Sequence, residues 1–538
     1  MIRCRKAGHF LNTALNIIFG ILMLCIFYGT VFLDKRIRLP YPNMLDKPNA
    51  LFYLTAALLL GLLCLVFRAN QNKGRELSER TEGRSDLKYR VALAVIFLIV
   101  AVLQILVTKW MLNPVEFQVG DFKMVSTSAW DLAHGGSFKG IDYFVRSPNN
   151  LNIAIVGSWV FRIFKHEKSM LLLGALLTNA SVILASLAVN NILRRRDIAL
   201  AVAVLGEILV ALSWRAFLPY SDNYGMIFVA LMVWVYTTKL RPEIKIPLII
   251  FFCACGCYIK VTCAICLAAL AVNGLIAWLR NGNGRLNFRR MALYTVSLIV
   301  LIGGMLALQG PIRRHYGYEP GEYPKGWQYM FMVGQNTKGL GCVTKDNANF
   351  RNNAIEEYGD PVAVNRAFLN RAVGFIKERG LAGNLAFYEA KLDHVYGDGY
   401  FHKIQFKYMK KQKGTFLYEI YNNKGRYFQY GAMLMQTLWN MILLTMMLYS
   451  LGKLLEFIRS KRRSEQPSAE AQPPSLQGMN NVLKLIVIGV SLYMMLLEGR
   501  SKYLYMFLPA FLTAFGTMQA VNLNVIAGLI RSSTEKQS

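Results

Sequence analysis

One carboxylate, Asp121, stands out because of where it lies in the chain. It occurs in Gly120-Asp121-Phe122-Lys123, a few residues after a long apolar run. We expect it at the membrane surface, where the head group of a lipid-linked substrate would be presented. A carboxylate there can take a proton from an acceptor hydroxyl as a general base. The position suggests chemistry on a lipid carrier, although a plain helix cap is the alternative.

Basic residues supply the other half of such chemistry. A departing phosphate needs cations around it, and the candidates are Lys123, Lys260, Arg500 and Lys502. Lys260 is the most informative, since it lies between two apolar runs. An uncompensated charge inside a membrane costs roughly 3 kcal/mol or more, so an ionisable residue there is a functional hypothesis. The alternative is that Lys260 extends its side chain to the interface.

Three polar residues are further candidates for contacting the substrate. They are Asn149, Asp222 and Glu498, each in a short polar segment between apolar runs. Asp222 also fits an ordinary turn carboxylate. Glu498 and Arg500 also fit an ion pair at the membrane interface. The sequence leaves these alternatives open.

The elements that carry these residues are predicted to be membrane-spanning helices. Hydrophobic residues make up 54% of the chain, and the mean hydropathy is +0.32. A span needs ~20 apolar residues to cross ~30 Å of hydrocarbon. Apolar length predicts an all-α polytopic membrane protein with about twelve spans, at residues 11–33, 50–67, 90–110, 168–192, 197–216, 224–239, 244–259, 261–279, 291–309, 429–450, 482–497 and 503–530.

Orientation follows from the basic residues of the short loops, which stay on the cytoplasmic side. These residues all fall on one side of the twelve spans, so both termini are predicted to be cytoplasmic, with the protein in the cell membrane. The segments predicted outside are 111–167, 219–223, 310–428 and 498–502. Within the first of them, 151–164 is predicted to be a helix on the outer membrane surface, because a span there would break the alternation.

The predicted spans divide the chain into four parts. They are an N-terminal two-helix segment (1–89), a membrane core with the outer loop 111–167 (90–309), a small extracytoplasmic domain (310–428) and the last membrane helices (429–538). Helical periodicity in the extracytoplasmic domain covers 362–377 and 383–392. The loop 453–481 contains a Ser, Glu, Gln and Pro-rich stretch that cannot bury a core, and it is predicted to be disordered.

Charge and cysteine content exclude several classes of protein. The formal net charge of +30 is explained by the topology of the short loops, so no nucleic-acid partner is predicted. The excess of Lys and Arg in 310–428 instead favours anionic phospholipid or a phosphate-bearing substrate. Only Cys342 of the nine cysteines is predicted outside, and the spacing of the others fits no zinc pattern. The cysteines therefore predict neither a disulfide nor a zinc site.

Several short motifs occur in a characteristic order. Gly-Asp at 120–121 follows an apolar span, and it is followed by Ser-Pro-Asn at 147–149, Tyr-Ser-Asp at 220–222, Tyr-Ile-Lys-Val-Thr at 258–262 and Glu-x-Arg-x-Lys-Tyr at 498–503. This order resembles the GT-C superfamily of polytopic glycosyltransferases. The resemblance is to the branch of protein O-mannosyltransferases and the aminoarabinose lipid A transferase, and to similar integral membrane proteins of Gram-positive bacteria.

The resemblance implies a GT-C-like fold and a sugar transfer from a polyprenyl-phosphate carrier on the outer face, with Asp121 as the base. Some relatives carry a second acidic residue directly after the first, whereas Phe122 follows here. A single carboxylate is a poor site for a divalent cation, so no cofactor is predicted and a divalent metal stays an open alternative. The expected partners are the polyprenyl-phosphate-sugar donor, membrane lipids, and an acceptor that is an envelope polymer, a glycolipid or a protein.

Two other classes fit part of the sequence. An envelope polysaccharide polymerase or ligase also has many spans and a large outer loop, and it also needs cations for a carrier pyrophosphate. A lipid-linked glycan flippase or transporter would show paired halves with broken helices at corresponding positions, and the sequence shows neither. The transferase interpretation requires Asp121, Lys260 and Arg500 to line one outward-facing cavity.

Overall fold

The regular structure of this chain is helical. The computed structural model describes residues 2–32, 49–76, 82–110, 120–136, 140–281, 288–319, 321–401, 414–422, 424–463 and 474–534. No strand occurs in these ranges. The prediction of an all-α polytopic membrane protein is therefore confirmed.

The described ranges contain 21 α-helices. Their bounds are α1 Ile2–Phe32, α2 Asn49–Glu76, α3 Glu82–Trp110, α4 Asp121–Ala133, α5 Ile141–Arg146, α6 Leu151–Phe164, α7 Ser169–Leu193, α8 Arg196–Leu212, α9 Ser221–Thr237, α10 Pro242–Ile259, α11 Ala264–Asn281, α12 Phe288–Leu298, α13 Gly304–His315, α14 Trp327–Gln335, α15 Lys345–Tyr358, α16 Pro361–Tyr396, α17 Phe416–Tyr421, α18 Phe428–Arg463, α19 Pro474–Leu496, α20 Lys502–Tyr505 and α21 Leu508–Thr534. A π-helical turn joins α12 to α13.

Nine helices in the described ranges are long and apolar enough to cross a membrane, against about twelve predicted spans. They lie in α1, α2, α3, α7, α10, α11, α12–α13, α18 and α19. The difference has a physical reason. Helices α8 and α9 have 17 residues each, which is less than the ~20 that a full crossing needs. The last predicted span corresponds to α21, which carries several polar residues that are buried against other helices, among them Thr513, Thr517 and Gln519.

The helices of the bundle approach one another closely. At Gly206 of α8, a Cβ atom would lie 2.6 Å from side-chain atoms of both Leu512 in α21 and Val182 in α7. Only glycine fits there, and small residues at such crossings allow membrane helices to pack by van der Waals contact. Helices α7, α8 and α21 therefore pack closely against one another at this crossing.

Helix α6 is the helix that the sequence predicted at 151–164. It has 14 residues, so it is about 21 Å long, shorter than the ~30 Å hydrocarbon core. It packs against α4, and most of its side chains are buried. Its place on the outer membrane surface stays a prediction.

The segment after α13 forms a small helical domain with an apolar core of its own. Its buried residues are Tyr329, Met332, Val333, Ala354, Val364, Phe368 and Ala372, from α14, α15 and α16. The helical periodicity over 362–377 and 383–392 matches the two parts of α16, which is broken at Gly380 with φ of 61°. We call α14–α16 the outer domain after the predicted location of this segment; its side of the membrane stays a prediction.

One buried lysine joins the outer domain to the helix bundle. The ammonium of Lys391 in α16 donates hydrogen bonds to the carbonyls of Gly334 (2.7 Å), Met495 (2.9 Å) and Leu497 (2.7 Å). The last carbonyls of a helix have no partner within the helix, and two of these three lie at the end of α19. A fully buried lysine therefore caps α19 from the outer domain.

The loop predicted over 453–481 is shorter than expected. Helix α18 continues to Arg463, and α19 begins at Pro474. The prediction of disorder is therefore wrong for 453–463 and 474–481, because the helical pattern of both spans continues past the apolar stretch. Residues 464–473 lie outside the described ranges.

Substituting Lys391 tests this junction. Lys391→Met would leave the carbonyls of Gly334 and Leu497 without a donor, at a cost of ~1–3 kcal/mol for each such group. The carbonyl of Met495 keeps a hydrogen bond of 3.3 Å from the amide of Gln335. We expect thermal unfolding of the detergent-solubilised protein to show a loss of roughly 2 kcal/mol or more. Lys377→Met, on the exposed side of the same helix, should change little. Equal stability of the two variants would contradict the capping role.

Candidate functional site

A buried carboxylate holds two cations at the N-terminal end of α9. Asp222 lies in the first turn of α9, where the helix dipole favours a negative charge. Its Oδ2 accepts a hydrogen bond of 3.0 Å from the guanidinium of Arg215, and its Oδ1 accepts one from the ammonium of Lys260. The exposed fractions are 0% for the Asp222 side chain and 2% for that of Arg215. The Lys260 side chain is 13% exposed. The three residues form a largely buried triad with one surplus positive charge.

The turn between α8 and α9 carries Arg215 and holds it near Asp222. Helix α8 ends at Leu212, and a 3₁₀ turn begins at Trp214. The side-chain amide of Asn223 donates to the carbonyls of Arg215, Ala216 and Leu218 at 2.6–2.9 Å. This turn lies inside the predicted span 197–216, which is therefore too long. Apolar length alone did not distinguish the turn from the helix.

Lys260 lies where two spanning helices meet. It has an extended backbone between α10 and the 3₁₀ turn Val261–Cys263 that leads into α11. Its ammonium lies 4.8 Å from the ring centre of Tyr503, and the ammonium of Lys502 lies at the same distance from that ring. A cation over an aromatic face is stabilised by the ring quadrupole. Tyr503 thus brings two of the predicted phosphate-binding lysines together.

A second buried ion pair lies in the segment before α20. Arg500 Nε is 2.7 Å from Glu498 Oε1, and the hydroxyl of Tyr503 donates to Glu498 Oε2. Burial alone would raise the pKa of Glu498, but the charges of Arg500 and Lys502 outweigh it and lower the pKa to about 2. Burial lowers the pKa of Lys502, and Glu498 opposes that shift. Glu498 is therefore ionised, and it holds Arg500 beside the site.

Asp121 is more accessible than these groups. It is the first residue of α4 and is exposed, while Gly120, with φ of 79°, occupies the N-cap position. The hydroxyl of Tyr220 donates to Asp121 Oδ2 at 3.5 Å. Burial raises the pKa of Tyr143 and of Tyr220, and the negative charge of Asp121 adds to both shifts. Both phenols therefore stay protonated and can donate to this carboxylate.

Two predicted contact residues have smaller roles in this arrangement. Asn149 is exposed, and its amide donates to Asn150 Oδ1 at 3.3 Å. The buried Asn150 donates to the Tyr143 hydroxyl, so it is Asn150 that supports the site. Lys123 lies two residues after Asp121 on α4, and residues at that spacing do not face each other on a helix.

The structure brings most predicted site residues into one network. Asp222, Lys260, Lys502, Glu498 and Arg500 are joined through shared partners. Asp121 is linked to them by Tyr220, which directly precedes the segment carrying Asp222, and by its charge interaction with Lys502. In the described ranges no group of three His, Cys, Asp or Glu side chains is arranged to hold a metal ion.

Two buried ionisable residues lie apart from this network. Lys484 of α19, inside a predicted span, is 2% exposed and donates to Asn16 Oδ1 in α1. Glu207 of α8 is also 2% exposed, and within the described part of the chain neither of its carboxylate oxygens has a hydrogen-bond partner. Lys484 lies about 21 Å along the chain from Glu498, at ~1.5 Å per helical residue. Both are visible in the sequence as charges within apolar runs: Glu207 is noticed there as a charge within a predicted span, whereas apolar length alone passes over Lys484.

A histidine packs behind the Glu498–Arg500 segment. His394 Nε2 is 3.6 Å from Cys342 Sγ, and that thiol donates to the carbonyl of Gly499 at 3.4 Å. Burial lowers the pKa of His394 to about 4; Asp398 opposes the shift, while Arg500 and Lys391 add to it. His394 is therefore neutral at pH 7, and its protonation would place a charge next to the segment that carries Arg500.

The fold and this site define a polytopic integral membrane protein with a network of buried charges where α9 begins and where α10 and α19 end. A family described as "Conserved hypothetical integral membrane protein" matches residues 7–316, and the chain belongs to this family. No curated protein and no solved structure matches the chain. The matched range includes Asp121, Asp222 and Lys260 and ends before Glu498 and Arg500.

Removing the charge of Asp222 tests the triad. Asp222→Asn would leave the buried Arg215 and the largely buried Lys260 without an anion. Breaking a buried ion pair from one side typically costs about 3–5 kcal/mol. We expect a loss of unfolding free energy in that range, measured by thermal denaturation in detergent. Asp346→Asn, on the exposed start of α15, serves as the control. A stability close to the wild-type value for Asp222→Asn would contradict the triad.

The pH dependence of stability tests His394. Its pKa is about 4 in the folded protein, against an ordinary value of 6.5, so between these values the unfolded chain binds more protons. Stability contributed by the neutral side chain is present above pH 6.5 and is lost as the pH falls towards 4. We expect the unfolding temperature to fall as the pH is lowered from 6.5 towards 4. His394→Gln should make the unfolding temperature less dependent on pH in this range. His315→Gln, at an exposed position, should leave the profile unchanged; flattening by both variants would exclude a specific role of His394.

Proposed function

We propose that this protein is a membrane glycosyltransferase that moves a sugar from a polyprenyl-phosphate donor to a cell-envelope acceptor on the outer face of the cell membrane. The observation that carries the proposal is an accessible carboxylate, Asp121, next to a buried network rich in cations. The network contains Arg215, Lys260, Arg500 and Lys502 against the carboxylates of Asp222 and Glu498. The excess of cations suits a phosphate ligand.

The buried cations have the properties that a lipid phosphate requires. Charge-assisted hydrogen bonds to phosphate are about twice as strong as neutral ones, and they are stronger still where water is excluded. Lys260 lies at the junction of two spanning helices, so a carrier phosphate at the end of an isoprenoid chain would meet it at the membrane surface. Asp222 and Glu498 keep the cations in place without neutralising all of them.

Asp121 is placed to act as the base in this proposal. The acceptor oxygen forms a bond to the anomeric carbon while the bond between that carbon and the phosphate oxygen breaks. The proton of the acceptor hydroxyl passes to the carboxylate of Asp121, and the bonding electrons leave with the polyprenyl phosphate. Tyr143 and Tyr220 orient the carboxylate by donating to it. The cations stabilise the negative charge of the leaving phosphate.

Asp121→Asn tests the proposal, since asparagine has nearly the same size and cannot take the proton. Positioned general bases contribute about 10²–10⁴-fold in rate, so we expect transfer to fall by that factor while the protein level in the membrane stays constant. The measurement is the envelope glycan composition of a deletion strain complemented with wild-type protein, with Asp121→Asn, or with Asp142→Asn. Asp142 is exposed on the neighbouring α5 and serves as the matched control.

The deletion strain also distinguishes the rival functions. Loss of one sugar from an otherwise intact polymer supports a transferase and names the sugar and the acceptor. A changed polymer length with unchanged sugar composition would instead support a polymerase or ligase. Full restoration of the glycan by Asp121→Asn would remove Asp121 from the mechanism.

A further inference from the structure

A second group of cations lies beside Asp121, on the side of the outer domain. Arg146 ends α5, Lys325 precedes α14, and Arg351 lies in α15. Arg146 and Lys325 are exposed, and Arg351 is 8% exposed. The three residues come from three separate elements, and we call them the rim cations.

Backbone contacts hold the rim cations together. The amide of Lys325 donates to the carbonyl of Arg146 at 2.9 Å. The guanidinium of Arg351 donates to the carbonyl of Tyr323, two residues before Lys325. At Gly321 a Cβ atom would lie 2.1 Å from the side chain of Val145, so only glycine allows this segment to lie against α5. The segment before α14 is therefore packed between Arg146 and Arg351.

The rim cations have no carboxylate paired with them within the part of the chain that the structure describes. The Nε of Arg146 donates to the carbonyl of Asp142 at 3.1 Å, a contact that leaves its charge uncompensated. Burial lowers the pKa of Lys325; Asp121 opposes the shift, and Arg351 and Arg146 add to it. Lys325 therefore interacts electrostatically with both rim arginines and with the carboxylate of Asp121.

We propose that Arg146 and Lys325, supported by Arg351, bind a phosphate group of the acceptor, so that the acceptor is a phosphate-bearing polymer or glycolipid. This inference rests on the proposed transferase function, in which Asp121 takes the proton of the acceptor hydroxyl. Unpaired cations next to the base would bind an anionic group close to the reacting hydroxyl. Arg146 and Lys325 are exposed, so an acceptor could reach them from solvent.

A binding measurement tests this site without requiring transfer. The probe is a synthetic glycerol phosphate oligomer, compared with a neutral glycerol oligomer of equal length, on wild-type protein in phosphatidylcholine nanodiscs. A hydrogen bond to a charged group contributes about 1.5–3 kcal/mol, so we expect Lys325→Gln and Arg146→Gln each to weaken binding of the phosphate oligomer roughly tenfold or more. Lys325→Arg should retain most of the affinity. Lys345→Gln, an exposed lysine on α15, is the matched control.

The outcomes separate this inference from the proposed function. Equal binding of both oligomers, or equal binding by Lys325→Gln and the control, would overturn the phosphate site whatever Asp121→Asn does to transfer. A second arm uses nanodiscs that contain phosphatidylglycerol. If this lipid displaces the oligomer from wild-type protein but not from the Lys325→Gln variant, the rim cations bind a lipid head group and the acceptor assignment is wrong. Binding that persists in those nanodiscs and depends on Lys325 supports an acceptor phosphate.

Discussion

The site depends on one buried carboxylate that is shared by two cations. Asp222 pairs with Arg215 from the preceding loop and with Lys260 from the next helix junction. Taking ions out of water costs several kcal/mol per ion, and the cost is recovered only when each charge keeps its partner in good geometry. The loop after α8, the start of α9 and the turn between α10 and α11 are therefore fixed relative to one another. Tyr503 extends this arrangement to the C-terminal segment.

The sequence predicted the helices well and their ends less well. The length of the apolar runs located the spanning helices. In a membrane each helix must satisfy its backbone N–H and C=O groups with its own hydrogen bonds, so each span is one continuous apolar helix. It placed Arg215 inside a span because one polar residue hardly changes the apolar content of a long segment. The same reasoning passed over Lys484. In both cases the informative signal was the single charge rather than the surrounding apolar residues.

Site contacts were harder to predict than site residues. Asp121, Asp222, Lys260, Glu498, Arg500 and Lys502 were singled out by residue type and position, and the structure joins them in one network. Their partners were not visible in the sequence, because Asp222 and Lys260 are separated by 38 positions and Lys391 and Leu497 by 106. Such pairs are determined by how the helices pack against one another. The hydrophobic periodicity along a single helix does not show which other helix it contacts. Asn149 and Asn150 show the same limit, since only burial distinguishes the two.

The outer domain also contributes to the geometry of the site. Gln335 donates to the carbonyl of Leu496 at 3.1 Å and accepts hydrogen bonds from Arg379 and Tyr388. Together with Lys391, these contacts hold the end of α19 from which the Glu498–Arg500 segment continues. The polar end of a spanning helix is thus fixed by a domain outside the bundle.

The order of the site residues along the chain has a consequence for biosynthesis. The Asp222 triad is complete once the ribosome has passed Lys260, whereas Arg500 and Lys502 are made roughly 10–50 s later at ~5–20 residues per second. Until α19 and α21 insert, the nascent protein contains the early triad without the cations of its C-terminal segment. A truncated or stalled chain would then occupy the membrane without a finished site. On the proposed function, transfer activity would begin only after the C-terminal segment with Arg500 and Lys502 has been made.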